Sequence, residues 1–213
     1  MSIFNEKTRK KLKEMLNELR NKVNIVYFTQ EFECASCKET RIFLEEITEL
    51  SDKLSLISYD FQKDKDKAKE LGIDKIPAIT ILDNEKSDMG IKFYGAPGGY
   101  EINSFIASLL DVSGAAEELP RSVIEKIRNI DKDIHIQVFV TLACPYCPGA
   151  VINAHRIALE SNKVKADMIE SSTFPHLAQR YNVTGVPKIV INEEYDLIGA
   201  QPIESILELI DKI

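Results

Sequence analysis

Tryptophan is missing from this chain, and cysteine occurs only four times in 213 residues. So few cysteines exclude a small scaffold held together by disulfide staples. No stretch approaches the ~20 apolar residues that a membrane-spanning helix needs, so no membrane partner is expected. The first ten residues are polar and charged. They carry no secretory signal, and a chain that starts at its native Met1 is expected to be cytoplasmic. Glycine is sparse, at nine residues, and forms neither a P-loop nor a dinucleotide fingerprint. No cofactor is therefore expected through such a motif, and electrons must come from another protein. The net charge is −7, which argues against a large nucleic-acid footprint. The local basic run Lys7, Arg9, Lys10, Lys11 and Lys13 reads as the solvated face of a helix. What is present is ordinary core material: 44% hydrophobic residues, and 29% charged with Lys and Glu prominent. That balance fits a globular protein and leans toward a thermophile.

Periodicity orders the first half as α-β-α-β-α-β-β-α. Leu12, Met15, Leu16 and Leu19 predict one face of a helix over residues 6–20. Apolar, β-branched runs predict strands over 23–29, 54–61, 78–82 and 91–94. Helices are expected over 38–50, 64–71 and 101–110, the second closed by Gly72. After Ser113-Gly114 the order begins again. Pro120 suits a helix start, and strands follow at 134–141, 164–169, 188–191 and 196–198. Helices fall at 144–160, 174–181 and 203–213. The expected architecture is α/β, with two tandem units, residues 1–116 and 117–213. Each would hold a central mixed four-stranded sheet flanked by helices.

All four cysteines lie in two pairs, Cys34-Ala35-Ser36-Cys37 and Cys144-Pro145-Tyr146-Cys147, each between a strand and a helix. Such a pair at a strand-to-helix junction is a dithiol/disulfide redox centre. A shift of 110 residues carries the first pair onto the second. The same shift carries Pro77 onto Pro187, Asp60 onto Glu170 and Lys53 onto Lys163. Each proline follows a β-branched residue, Ile76 or Val186, and opens an apolar strand. Proline at that position calls for an explanation, either a cis bond or a plain strand start. A Cys₄ zinc site is the rival reading of the cysteines. A whole module separates Cys37 from Cys144, so no metal is expected.

A helix N-terminus offers unpaired N–H groups and a partial positive charge, both of which stabilise a thiolate. Cys34 and Cys144 are thus the expected nucleophiles. Cys37 and Cys147, one turn further in, are the expected resolving thiols. Pro145 suits the first helical turn. The differing inserts, Ala35-Ser36 and Pro145-Tyr146, predict unequal reduction potentials.

These residues resemble thioredoxin and glutaredoxin: a strand, Cys-x-x-Cys at a helix start, and Ile/Val-Pro about 40 residues later. Cys-Pro-Tyr-Cys is the glutaredoxin form of the motif. Two such units in one chain resemble the protein disulfide oxidoreductases of thermophilic archaea and bacteria. The resemblance implies cis bonds at Ile76-Pro77 and Val186-Pro187, lying against the cysteines. It implies protein thiol and disulfide substrates, bound beside these residues and Pro145-Tyr146. It also implies recharging by a thioredoxin-reductase-like flavoprotein. The chain is similar as well to the N-terminal unit of the flavoprotein that reduces a peroxiredoxin-type peroxidase. That unit is also a double thioredoxin fold, but it keeps one cysteine pair, where this chain has two. A non-catalytic chaperone or docking module with structural disulfides is the reading of a different class. One feature departs from thioredoxin: six residues before the first cysteine stand Phe28 and Val138 rather than an acid. Asp60 and Glu170, at matching strand ends, are the candidates for proton transfer in its place. His135, His155 and His176 follow no pattern that ties them to the cysteines.

Overall fold

A computed structural model describes residues 3–213. The first half runs α1 (Glu6–Leu16), β1 (Val23–Thr29), α2 (Cys37–Thr48), β2 (Leu54–Asp60) and α3 (Lys65–Glu70), then β3 (Ala78–Leu82), β4 (Asp88–Tyr94) and α4 (Ile102–Val112). A 3₁₀ turn, Gly99–Glu101, leads into α4. The second half runs α5 (Arg121–Arg128), β5 (Ile134–Val140), α6 (Cys147–Glu160), β6 (Val164–Glu170), α7 (Pro175–Arg180), β7 (Lys188–Ile191), β8 (Tyr195–Ile198) and α8 (Ile203–Ile210). Local chemistry accounts for several boundaries. Asn5 caps α1 by accepting the Thr8 N–H at 2.9 Å. Helix α1 stops short of the expected Arg20, yet Leu19 beyond it is still buried.

The two expected four-stranded sheets are one. All eight strands join in the order β2-β1-β3-β4-β6-β5-β7-β8. The junction is the parallel pair β4–β6, in register at Ile91↔Ala166, Lys92↔Asp167, Phe93↔Met168 and Tyr94↔Ile169. Burial explains the fusion. Ile91, Phe93, Ala166 and Met168 are all fully buried beneath helices, and separate sheets would leave these strands as open edges. Strands β1, β2, β4, β5, β6 and β8 run one way, while β3 and β7 oppose them. Both cysteine helices follow strands of the first set, β1 and β5. The two redox motifs therefore open onto the same edge of one sheet.

Six helices (α1, α2, α4, α5, α6, α8) cover one face of the sheet, over a continuous core that runs through both units. Only the short α3 and α7 cover the other face, over a smaller core containing Phe28, Tyr94, Phe139 and Ile169. Strand β1 shows where the internal repeat slips. Pairing sets Val23 opposite Leu54 and Ile134 opposite Val164. Strand β1 thus maps onto β5 with a shift of 111, and the loop before Cys34 carries one residue more than the loop before Cys144. Phe28 and Val138, matched by counting back from the cysteines, lie on opposite faces. The counterpart of Val138 is Tyr27, because a one-residue slip reverses every side chain.

The units also lock together away from the sheet. Ser108 Oγ lies 2.9 Å from His155 Nδ1. That ring packs edge-on against Phe93, with centroids 4.8 Å apart, and burial holds its pKa down, at about 4. Arg156 Nε donates to Asp111 at 3.0 Å. Of the other histidines, His135 pairs with Asp167 at 2.7 Å and His176 is exposed. The tightest approach is at Gly99, where φ is +55° and a Cβ would stand 2.2 Å from the Leu142 carbonyl oxygen. Gly99→Ala is therefore expected to destabilise the chain by about 3 kcal/mol, combining left-handed strain with overpacking. Urea unfolding tests this. A loss below about 1 kcal/mol would mean that the junction yields at little cost.

Candidate functional site

Each cysteine pair is a disulfide, Cys34–Cys37 and Cys144–Cys147, and the described residues include no free cysteine. Their exposures are asymmetric. Cys37 is 3% exposed and Cys147 fully buried, while Cys34 is partly accessible and Cys144 is 8% exposed. The outer sulfur of each pair is therefore the more accessible one. In the second unit the Cys147 N–H, at the head of α6, lies 3.1 Å from Cys144 Sγ. That donor, together with the end of the helix dipole, favours an anionic sulfur. No corresponding bond from the Cys37 N–H to Cys34 occurs among the described residues. Instead, the Tyr27 hydroxyl donates to the Cys37 carbonyl at 2.7 Å. Tyr27 is buried, and burial pushes its phenol pKa up.

The two prolines stand beside these sulfurs. Both Ile76-Pro77 and Val186-Pro187 are cis. The Val186 carbonyl oxygen lies 3.9 Å from Cys144 Sγ. Pro77 and Pro187 are buried, and their carbonyls accept from Gly95 at 3.0 Å and Gly199 at 2.8 Å. The N–H groups of Ile76 and Val186 make no backbone bond among the described residues. Pro145 and Tyr146 lie at the surface, Tyr146 at 71% exposure. They form an exposed rim around a nearly buried sulfur.

A groove of about 410 Å³ runs along Cys34. Its walls include Glu33, Glu39, Ile76 and Pro77 from the first unit, and Ser172 and Thr173 from the second. The exchange is mutual. The Tyr100 N–H donates to Leu142, two residues before Cys144, at 3.0 Å. Each unit thus lends a loop to the other's cysteine site, which the internal repeat alone does not reveal.

Asp60 and Glu170 build the turns after β2 and β6. Asp60 accepts the N–H groups of Gln62 and Lys63 at 3.0 and 2.9 Å. The bond from the Lys63 backbone, above all, holds its pKa below the usual range. Glu170 is buried and accepts from the Ser172 N–H, the Thr173 N–H and the Thr173 hydroxyl. A buried acid that the sequence reading did not single out is Glu101. It is completely buried, Ser104 donates to one of its oxygens, and the other has no partner. Burial pushes its pKa up to about 7. The turn that carries it packs on α6 and on Leu142. The only signal in the sequence was an acid beside a glycine-rich loop in the other unit.

A thioredoxin family model matches residues 4–108, and a second thioredoxin-domain model matches 134–211. A solved chain of AhpF, a component of the alkyl hydroperoxide reductase of Enterococcus faecalis, is 30% identical. The match covers 97% of this chain and 99% of that one, with a TM-score of 0.91. The chain belongs to the thioredoxin family. It is a tandem thioredoxin protein in which both units keep a Cys-x-x-Cys pair. A protein disulfide oxidoreductase from Aeropyrum pernix is similarly close: 28% identical, 97% and 91% covered, with a TM-score of 0.90. Among curated proteins, the corresponding alkyl hydroperoxide reductase component of Staphylococcus aureus is 26% identical over 205 residues. The chain spans 37% of that relative's length. The general chemistry is thiol–disulfide redox at two Cys-x-x-Cys centres.

Proposed function

We propose that this tandem thioredoxin protein is a protein disulfide oxidoreductase that exchanges disulfides with protein substrates at both centres. The observation that carries the reading is the repeated geometry: an outer sulfur at a helix start, facing an X-Pro whose preceding N–H is free. An extended peptide pairs with such backbone groups as an added strand would. The thiolate of Cys34 or Cys144 attacks a substrate disulfide, forming a mixed disulfide and expelling one substrate thiolate. Cys37 or Cys147 then attacks the outer cysteine's sulfur and expels the second. The substrate gains two electrons and the enzyme pair becomes oxidised; the reverse sequence oxidises a substrate. Ile76, Pro77, Val186, Pro187, Pro145 and Tyr146 form the peptide-binding rims. We assign proton transfer at the second site to Glu101, because the carboxylates of Asp60 and Glu170 are committed to turns. A thioredoxin-reductase-like flavoprotein recharges the enzyme in the cytoplasm, and residues 1–116 and 117–213 are the two units.

Insulin reduction tests the reading. With dithiothreitol as electron source, the chain is expected to precipitate insulin B-chain at least about tenfold faster than dithiothreitol alone. No acceleration would overturn exchange with general protein substrates and leave the docking-module and peroxidase readings. A second reading, electron delivery to a peroxidase, is favoured by the likeness to the alkyl hydroperoxide reductase components. Peroxiredoxin reduction that far outpaces insulin reduction would select it.

A further inference from the structure

We propose that the cleft between α3 and α7, on the sheet face away from the six helices, binds a small phosphate-bearing anion. The fused sheet creates this cleft. Helices α3 and α7 flank that face, and the core beneath them takes only Tyr94, Phe139 and Ile169 from the junction strands β4, β5 and β6, leaving a gap beside those residues. A row of polar side chains crosses the gap in register: Lys92, Asp167 and Gln137. They are 3%, 4% and 6% exposed, which is unusual for such groups unless something satisfies them. The cavity above them is about 350 Å³, room for more than one ordered water.

The charges are unbalanced. Asp74 pairs with Lys75, Glu193 with Arg180 at 2.7 Å, and Asp167 with His135 at 2.7 Å. Lys92 and Lys165 also line the cavity; neither is in a close salt bridge among the described residues, and Lys92 meets only the field of Asp167 across the strand pair, so four cations face three carboxylates. Lys92 is the telling one. Its stem is buried, and its ammonium points to the cavity wall at Gly72, where a Cβ would lie 3.9 Å from Nζ. Asp167, its cross-strand neighbour, is shared with His135, so one buried carboxylate serves two groups, and an anion in the cleft would add the missing negative charge.

The row also asks for a donor. The amide oxygen of Gln137 is buried and has no partner. A carboxylate cannot donate to it. Inorganic phosphate at neutral pH carries at least one hydroxyl, so it meets the lysines through its oxygens and Gln137 through a proton. Sulfate has the same shape and charge but no hydroxyl.

Calorimetric titration of the full chain at neutral pH, at matched ionic strength, tests this. One inorganic phosphate is expected to bind per chain, about tenfold more tightly than sulfate, as one satisfied buried acceptor predicts. Lys92→Met should weaken phosphate at least about tenfold, and the exposed Lys165→Met about threefold. Lys10→Met should leave it unchanged. Gln137→Leu should abolish the preference for phosphate over sulfate, a readout that simple destabilisation would not move. Glycerol phosphate, a monoester that has mostly lost its last phosphate proton at neutral pH, should bind less tightly than inorganic phosphate; the reverse order would overturn the hydroxyl contact to Gln137. No saturable binding below about 20 mM would overturn the proposal. So would equal affinity for sulfate, or unchanged affinity in both lysine variants. If Lys92→Met fails to fold, Lys165→Met and Gln137→Leu still decide.

Discussion

Cys144→Ser is expected to lower insulin reduction by about tenfold, Cys34→Ser by less than about threefold, and the double variant to the dithiothreitol background. The ranking follows from the surroundings of each outer sulfur. Cys144 has the Cys147 N–H at 3.1 Å, and a hydrogen bond to an anion contributes about 1.5–3 kcal/mol. Cys34 lacks that donor, and Glu33 and Glu39 line its groove. Neighbouring carboxylates disfavour a second negative charge. Cys144 should therefore hold more thiolate at neutral pH. The same contrast predicts substrate preference, with basic peptides favoured at the Cys34 groove. Full activity in Cys144→Ser would sink the ranking, and undiminished activity in the double variant would sink the oxidoreductase reading.

Glu101→Gln is expected to slow insulin reduction by up to about tenfold, no more than Cys144→Ser does, mainly above pH 6, where a general acid or base matters most. Its effect on stability has the opposite sign. Burial raises the Glu101 pKa from 4.5 to about 7, so the folded chain holds a proton that the unfolded chain has released. Stability is complete below pH 4.5, falls as pH rises toward 7, and is level beyond. The shift corresponds to about 3 kcal/mol. Glutamine cannot ionise, so the variant should unfold at the native urea midpoint at pH 4 and above it at pH 8. An offset that does not change between those pH values would mean that Glu101 does not titrate in the fold. Full activity in Glu101→Gln at pH 8 would remove it from proton transfer.

Much of this fold was legible because its constraints are local. Cysteine pairs at helix starts, the Ile-Pro and Val-Pro steps and the β-branched runs each mark one element, and the 110-residue repeat marks two units. The rest depended on contacts between elements far apart in the chain. Nothing in Ile91–Tyr94 or Ala166–Ile169 alone says that these strands pair with each other. Because the register of β1 is set by its pairing with β2, counting back from Cys34 landed on Phe28 instead of Tyr27. Glu101 was hidden for the same reason. It belongs to one unit by sequence, and its turn packs on the cysteine helix of the other. Strand β4 begins at Asp88, earlier than its apolar run, because hydrogen bonding extends past the point where hydrophobicity fades.

The β4–β6 junction has a further consequence for assembly. Within one chain it joins unlike edges, the last strand of the first unit to the second strand of the next. That is a head-to-tail contact with no two-fold axis, so it does not close on itself. Repeated between molecules, it would set β8 of one chain against β2 of another and build an open filament. The strands run in directions compatible with that pairing. What opposes it is the shortened second hairpin. Strand β8 has four residues where β4 has seven, and its outward positions hold Asp196 and the exposed Ile198. A short, charged edge is a poor template for another strand. The shorter second hairpin thus works as a terminator, keeping at two units a repeat whose geometry could continue.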